Sequence, residues 1–297
     1  MPKGLFKPVS IGNGRQKLMI AKNDNLSVQI NTSDTDVVKI VQITDSHIFA
    51  EPKGCLLGLN TRESFEAVCE RVKKEEWKAD LLLATGDLAQ DASPEAYKYL
   101  ADYLEKLAIP SYWIAGNHDD TQTMNETLNN SVVSPCKQIV TEHWQIILLD
   151  SSVPEMVHGA LSQHELLFLE SCLNQHPNKN SLVVLHHHPV DINCAWLKNI
   201  GLKNTKEFHK VIAKFDNVKG VLWGHIHQEY DQNHDGIPYL ATPSSCVQFT
   251  PESSDFSADT KAPGYRYLNL FSDGRIESVV HRIDNVEFTV DYSIKGY

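Results

Sequence analysis

Six short runs rich in Val, Ile and Leu constrain this chain more than any other feature: Val37–Thr44, Asp80–Thr85, Ser111–Ala115, Trp144–Leu149, Ser181–Leu185 and Val218–Trp223. Near-continuous apolar runs of this kind read as strands buried on both faces. Several are separated by amphipathic stretches that open on helix-start signatures: Asn60 with Glu63, Ser93 followed by Pro94, Ser162 with Glu165, and Asn204 with Glu207. Strands buried on both faces need helices to cover them, so the alternation predicts a layered α/β fold. From Gly224 onward the texture changes. Gln228–Gln232, the Asn233–Gly236 turn, Ile237–Thr242, Tyr265–Phe271 and Arg275–Arg282 predict antiparallel pairing.

Five of these runs deliver a short polar string at their carboxyl ends: Asp45-Ser46-His47, Gly86-Asp87, Gly116-Asn117-His118, His186-His187-His188 and Gly224-His225-Ile226-His227. Loops after the carboxyl ends of strands are where open α/β sheets build their sites. Asp45 and His47 lie two apart beyond a strand, so both can face one ion, and His225 and His227 repeat that spacing. A carboxylate has two oxygens, which lets Asp87 bridge a pair of ions. Each string alone is weak, because an Asp-x-His pair is more often a turn with a solvated acid. All five in order predict a dinuclear metal centre, and metal-assisted phosphate-ester hydrolysis as its chemistry.

The rest of the composition sets limits. A net charge of −11 over 297 residues argues against a nucleic-acid partner held by its phosphates. It is compatible with a small anionic substrate, since bound cations reverse the local field. Six scattered cysteines without a C-x-x-C pair predict reduced thiols, and no run of apolar residues reaches membrane-spanning length. With no apolar core in Met1–Lys17 to act as a signal, these features predict a cytoplasmic protein with no membrane contact. We expect one domain over residues 37–285, an N-terminal extension over 1–36 that could supply an edge hairpin, and a tail over 286–297. The histidines at 143, 158, 164, 176, 209, 234 and 281 read as surface or packing residues, with His158 left open because it follows the strand ending at Asp150.

The five strings resemble the pattern D-x-H, G-D, G-N-H-[DE], H, G-H-x-H of the calcineurin-like metallophosphoesterase superfamily, from about Val41 to His227. Gly224–Glu229, Ala241–Phe249 and the residues around Cys194-Ala195-Trp196 look like the bacterial class III 3′,5′-cyclic AMP phosphodiesterases. The resemblance implies a four-layer α-β-β-α sandwich with mixed sheets. It implies one ion on Asp45, His47, Asp87 and His227, and a second on Asp87, Asn117, His186 and His225. It further implies His118 as the catalytic histidine beside the phosphate, and substrate contacts at His47, Asp87, Asn117, His118 and His227. Asp91 and Asp119 fall where carboxylates orient ligand imidazoles. The chain lacks the Arg that phosphoprotein phosphatases carry after the second motif, and it has His47 where purple acid phosphatases have Gly.

The implied reaction is hydrolysis of 3′,5′-cyclic AMP to 5′-AMP with two divalent ions, Fe or Mn favoured and Zn or Co also suited to O and N donors. A different phosphodiester or phosphomonoester remains an alternative, because the metal centre is shared and specificity lives in loops. A metal-binding scaffold without turnover is the third reading. By position, Glu51–Leu59, Val190–Lys203 and Pro243–Pro263 are the loops expected to form the nucleotide pocket. The sequence does not fix the oligomeric state.

Overall fold

Residues Leu81–Thr85, Ser111–Ile114 and Trp144–Leu148 are buried along their whole length, which is what a strand covered on both faces requires. The computed structural model describes residues 26–296. Two large sheets carry the architecture. One has six strands in the order Ile276–Arg282, Gly264–Phe271, Val37–Ile43, Leu81–Thr85, Ser111–Ile114 and Val133–Ser134. The other has seven, in the order Ser27–Gln29, Gln138–Val140, Trp144–Leu148, Asn180–Val184, Val218–Trp223, Ile237–Ala241 and Tyr230–His234. Both are mixed: three neighbouring pairs run parallel at the centre of the seven-stranded sheet and on one side of the six-stranded one, and each sheet has one antiparallel and one parallel edge pair.

Successive residues of the central strands face opposite layers. Leu81 and Leu83 point inward to meet Ile146, Leu182 and Leu222 between the sheets. Leu82 and Ala84 point outward, where Phe65, Val68, Leu100 and Met124 cover them. These come from helices α1 (Thr61–Lys74), α2 (Pro94–Leu107) and α3 (Thr121–Thr127). On the far side, α4 (Gln163–Gln175) and α5 (Thr205–Ile212) bring Leu169 and Phe208 against Ile147, Val183 and Val221. Three apolar layers between four structural ones make the α-β-β-α sandwich.

The helix-start signatures act as caps in three of their four places. Asn60 accepts from the N–H groups of Arg62 and Glu63, Ser93 from Ala96 and Ser162 from Glu165. At α5 the expected cap does not form, because the Asn204 side chain instead bridges the N–H and carbonyl of Leu161 at 2.9 and 2.8 Å.

The antiparallel segments after Gly224 form as expected, but they part company. Tyr230–His234 and Ile237–Ala241 extend the seven-stranded sheet, whereas Gly264–Phe271 and Ile276–Arg282 complete the six-stranded one. Beneath the site, buried Gln42 links the sheets by donating to Thr85 Oγ1 (2.7 Å) and to the Trp223 carbonyl (3.2 Å). Of the expected N-terminal hairpin, residues 1–25 lie outside the described residues, and Ser27–Gln29 is a single edge strand parallel to Gln138–Val140. At the other end Phe288 and Val290 pack on Leu57 and Val247, and the Asp291 N–H bonds the Leu57 carbonyl. Among the described residues no helix is long and apolar enough to cross a membrane.

Candidate metal centre

The five polar strings converge at the carboxyl ends of adjacent strands, three from the six-stranded sheet and two from the seven-stranded one. Asp45, His47, Asp87, His186, His225 and His227 are all buried, and their ligand atoms form overlapping groups. Asp45, His47 and His227 make one group, and Asp45, Asp87 and His186 another. His47 Nε2 lies 3.0 Å from His227 Nε2 and 4.0 Å from Asp87 Oδ2, while His186 Nε2 lies 3.3 Å from Asp87 Oδ2. Asp87 therefore stands between the two sets.

The backbone is bent to achieve this. Asp45, His47, Asp87, His225 and His227 all take left-handed conformations, with φ between 47° and 67°. Each such residue costs on the order of 1–3 kcal/mol unless its surroundings enforce it. The enforcement is visible: Asp45 N–H bonds the Gly86 carbonyl, His47 N–H the Asp87 carbonyl, and both Asp45 oxygens accept from the His225 N–H at 3.0 Å. Gly86 and Gly224 are the close-approach positions. A Cβ on Gly86 would enter the His186 ring, and one on Gly224 would strike Thr44 Oγ1 and Asp45 Oδ2.

Three of the four ligand-type imidazoles have one nitrogen occupied outside the site, which turns the other inward. His186 Nδ1 sits 2.8 Å from the Thr85 carbonyl, His227 Nδ1 2.8 Å from that of Val247, and His47 Nδ1 2.6 Å from Gln90 Oε1. This outer shell differs from the expected one. Among the described residues Asp91 accepts from Ala50 N–H at 2.8 Å and Ser93 Oγ at 2.7 Å, contacts that tie it to the backbone and to a helix cap. Leu88–Gln90 runs extended beside the 46–48 segment, so neighbouring side chains face opposite ways and residue 90, not 91, meets His47. Asp119 also holds backbone rather than imidazole: it accepts from the N–H groups of Leu88, Ala89 and Gly116 and from Tyr97 OH.

His187 groups spatially with His186 and His225, but both of its nitrogens are engaged, Nδ1 with Ser151 Oγ at 2.8 Å and Nε2 with the Val157 carbonyl at 3.2 Å. That ties the loop bearing half-buried His158 to the wall of the site. His118 donates its N–H to Asp87 Oδ1 at 2.9 Å and sets its ring 5.0 Å from that of His47, edge-on and partly open to solvent.

The electrostatics call for cations. Burial, with the Asp87 charge adding, pushes the Asp45 carboxyl up to about 7 against the pull of His186. Burial also works against the Asp87 carboxylate, yet His186, His118 and His47 hold it well below the usual range. Burial opposes charge on His186 too, but Asp87 and Asp45 outweigh it and lift the imidazole to about 9. Burial keeps His47 down near 3, and His225 and His227 well below the ordinary value. Asn117 Oδ1 and His225 Nε2 are buried without a hydrogen-bond partner, an expensive arrangement for polar atoms. Carboxylate oxygens, an amide oxygen and imidazole nitrogens with no thiolate fit hard or borderline divalent cations.

The loops expected around the substrate also meet. Leu56, Leu57 and Leu59, Trp196, and Cys246, Val247, Phe249 and Phe256 share one apolar cluster beside His227.

Comparison with known proteins agrees with this geometry. The sequence profile of calcineurin-like phosphoesterases matches residues 38–229. The 3′,5′-cyclic adenosine monophosphate phosphodiesterase CpdA of Escherichia coli (strain K12) is 45% identical over 261 residues, covering 88% of this chain and 95% of that protein. CpdA of Pseudomonas aeruginosa is 43% identical over 274 residues, covering 92% and 100%. Among solved structures, a dimetal phosphatase from Danio rerio superposes with a TM-score of 0.57 at 15% identity, covering 84% of this chain and all of that one. Purple acid phosphatase PPD1 from yellow lupin gives 0.57 at 10% identity, over 87% of this chain and 54% of that one. Profile, relatives and fold agree, and the chain belongs to the calcineurin-like phosphoesterase family.

Proposed function

We propose that this protein hydrolyses 3′,5′-cyclic AMP to 5′-AMP at a dinuclear metal centre. The observation that carries the reading is the buried convergence of Asp45, His47, Asp87, His186, His225 and His227, with the unpartnered Asn117 Oδ1 on a neighbouring strand end, in a chain 45% identical to a cyclic AMP phosphodiesterase over 88% of its length. Asp45, His47, Asp87 and His227 would hold one cation, and Asp87, Asn117, His186 and His225 the other. When bound, the pair supplies Lewis-acid stabilisation of the phosphoryl oxygens and lowers the pKa of a water enough for it to act as nucleophile near neutral pH.

The chain's own groups do the rest. The carbonyls of Thr85 and Val247 and the amide of Gln90 hold the inward nitrogens of His186, His227 and His47 in place. His118, anchored through its backbone N–H to Asp87 and partly open to solvent, would present a ring N–H to the phosphate and give its proton to the departing 3′ oxygen. Water adds to phosphorus, the P–O3′ bond breaks, and the ribose 3′ oxygen leaves as a hydroxyl. In this reading His47, Asp87, Asn117, His118 and His227 would line the phosphate position.

The O and N donor set favours Fe or Mn, with Zn and Co also accommodated. Six free cysteines support a reduced, cytoplasmic setting. We assign one catalytic domain to residues 37–285. The test is incubation of Mn- or Fe-loaded protein with 3′,5′-cyclic AMP, following 5′-AMP by chromatography with Asp87→Ala as control. Metal-dependent product lost in the variant supports the assignment. Hydrolysis of a generic aryl phosphodiester without cyclic AMP turnover keeps the centre and overturns the substrate.

A further inference from the structure

The segment after the last histidine string returns to grip one ligand. His227 is fully buried and left-handed at φ 50°, and three contacts from Val247–Phe249 converge on it. The Val247 carbonyl takes Nδ1 at 2.8 Å, the Phe249 N–H donates to the His227 carbonyl at 3.2 Å, and the Phe249 ring lies flat on the imidazole. The two ring centroids are 4.1 Å apart with only 9° between planes. A hydrogen bond at Nδ1 fixes one point of the imidazole but lets it swing about that point. A parallel ring in contact opposes tilting, because rotation out of the imidazole's own plane drives one of its edges into the phenyl face. Phe249 is itself fixed. Trp196 and Phe256, from the two flanking loops, meet it edge-on at 5.2 and 5.3 Å.

We propose that Phe249 is a positioning residue for the metal centre: by stacking on His227 it fixes the plane, and hence the aim of Nε2, toward Asp45 and His47. Nε2 lies 3.5 Å from Asp45 Oδ1 and 3.0 Å from His47 Nε2, so a small tilt would disperse the group. An imidazole bound to a cation is electron-poor, which the negative face of a phenyl ring favours and an aliphatic side chain does not. Phe249 therefore acts on one half of the centre, the half to which His227 belongs, and the inference rests on the metal-centre reading above.

The test titrates Co(II) into the metal-free protein, read by visible absorption and calorimetry, for wild type, Phe249→Leu, Phe249→Tyr and Phe256→Leu, with thermal midpoints recorded in parallel. In Phe249→Leu one of the two binding steps should weaken about ten-fold or more, the size expected of a lost outer-shell partner, while the other stays within about two-fold. Phe249→Tyr should restore both. Phe256→Leu, which removes an edge-on support of Phe249 but leaves the stacked ring, should weaken that same step by less than Phe249→Leu does. Wild-type binding at both steps in Phe249→Leu, or equal weakening in Phe256→Leu, overturns the inference alone. If Phe249→Leu does not fold, Phe249→Met is judged by the same criteria. A wild-type protein that takes up no Co(II) overturns the metal centre itself and the inference with it.

Discussion

Gln90 Oε1 lies 2.6 Å from His47 Nδ1, on the opposite edge of the imidazole from Asp87 and His227. An amide oxygen there requires the proton on Nδ1 and leaves the Nε2 lone pair pointing into the site. Gln90→Leu should free the tautomer and lower metal affinity about 10–100-fold with turnover falling in parallel, whereas Gln90→Glu, which keeps an acceptor, should lose far less. Metal titration and initial rates on both variants check this, and a Gln90→Leu protein with unchanged metal affinity would remove the orienting role.

Gly224 gives a steric prediction. A Cβ there meets Thr44 Oγ1 and Asp45 Oδ2, just beyond the end of strand Val37–Ile43 of the other sheet. Because that strand is buried and close-packed, Gly224→Ala should cost about 1–3 kcal/mol through overpacking and displace Asp45 from its ligand position. Denaturant unfolding and the metal-to-protein ratio should both fall. A variant that keeps full metal content would show that the strand end yields more easily than its packing implies.

Asp119 collects three backbone N–H groups and the Tyr97 hydroxyl, tying the loop that carries Asp87 to the one that carries Asn117. Asp119→Asn presents an NH2 group to some of these donors and leaves at least one unsatisfied. The expected loss is about 1–3 kcal/mol of stability, visible even without metal. Unfolding in the presence of a chelator measures it, and a wild-type midpoint would contradict the tie.

Much of this molecule could be read from its residues, for reasons that are physical and uneven. Val37–Thr44, Leu81–Thr85 and Val218–Trp223 announce themselves because strands buried over most of both faces demand near-continuous apolar runs. The strings at their ends stand out because Asp, Asn and His at strand tips have few other uses in combination. What the sequence could not supply was pairing partners and facing. Nothing in Ile237–Thr242 or Tyr265–Phe271 says that they join different sheets, since sheet choice is set by long-range contacts. The imidazole partner fell to Gln90 rather than Asp91 because one residue of register reverses a side chain. The left-handed backbones of five ligand-type residues leave no compositional mark, and the stack of Phe249 on His227 joins residues whose adjacency only the fold creates.

Away from the centre, His209 gives a prediction about pH. Its ring packs near Tyr239, with centroids 6.0 Å apart. Burial pushes its pKa below the ordinary value, the neighbouring His234 adds to the effect, and Asp235 opposes it. His176 on α4's C-terminal cap is shifted the same way by burial and Lys179. A histidine whose folded pKa lies below its unfolded one is bound by fewer protons in the native state, so between the two values stability rises with pH. The contribution is fully present above about 6.5, is lost as pH falls from there toward the folded pKa, and levels off below it. His209→Gln removes one such group. The variant's unfolding free energy should therefore decline less steeply than wild type's between about pH 7.5 and pH 5, when both are measured in chelator so that metal binding does not enter. Parallel curves would mean that His209 titrates alike in the folded and unfolded chain. A steeper curve for the variant would mean that Asp235 outweighs burial and the shift runs the other way.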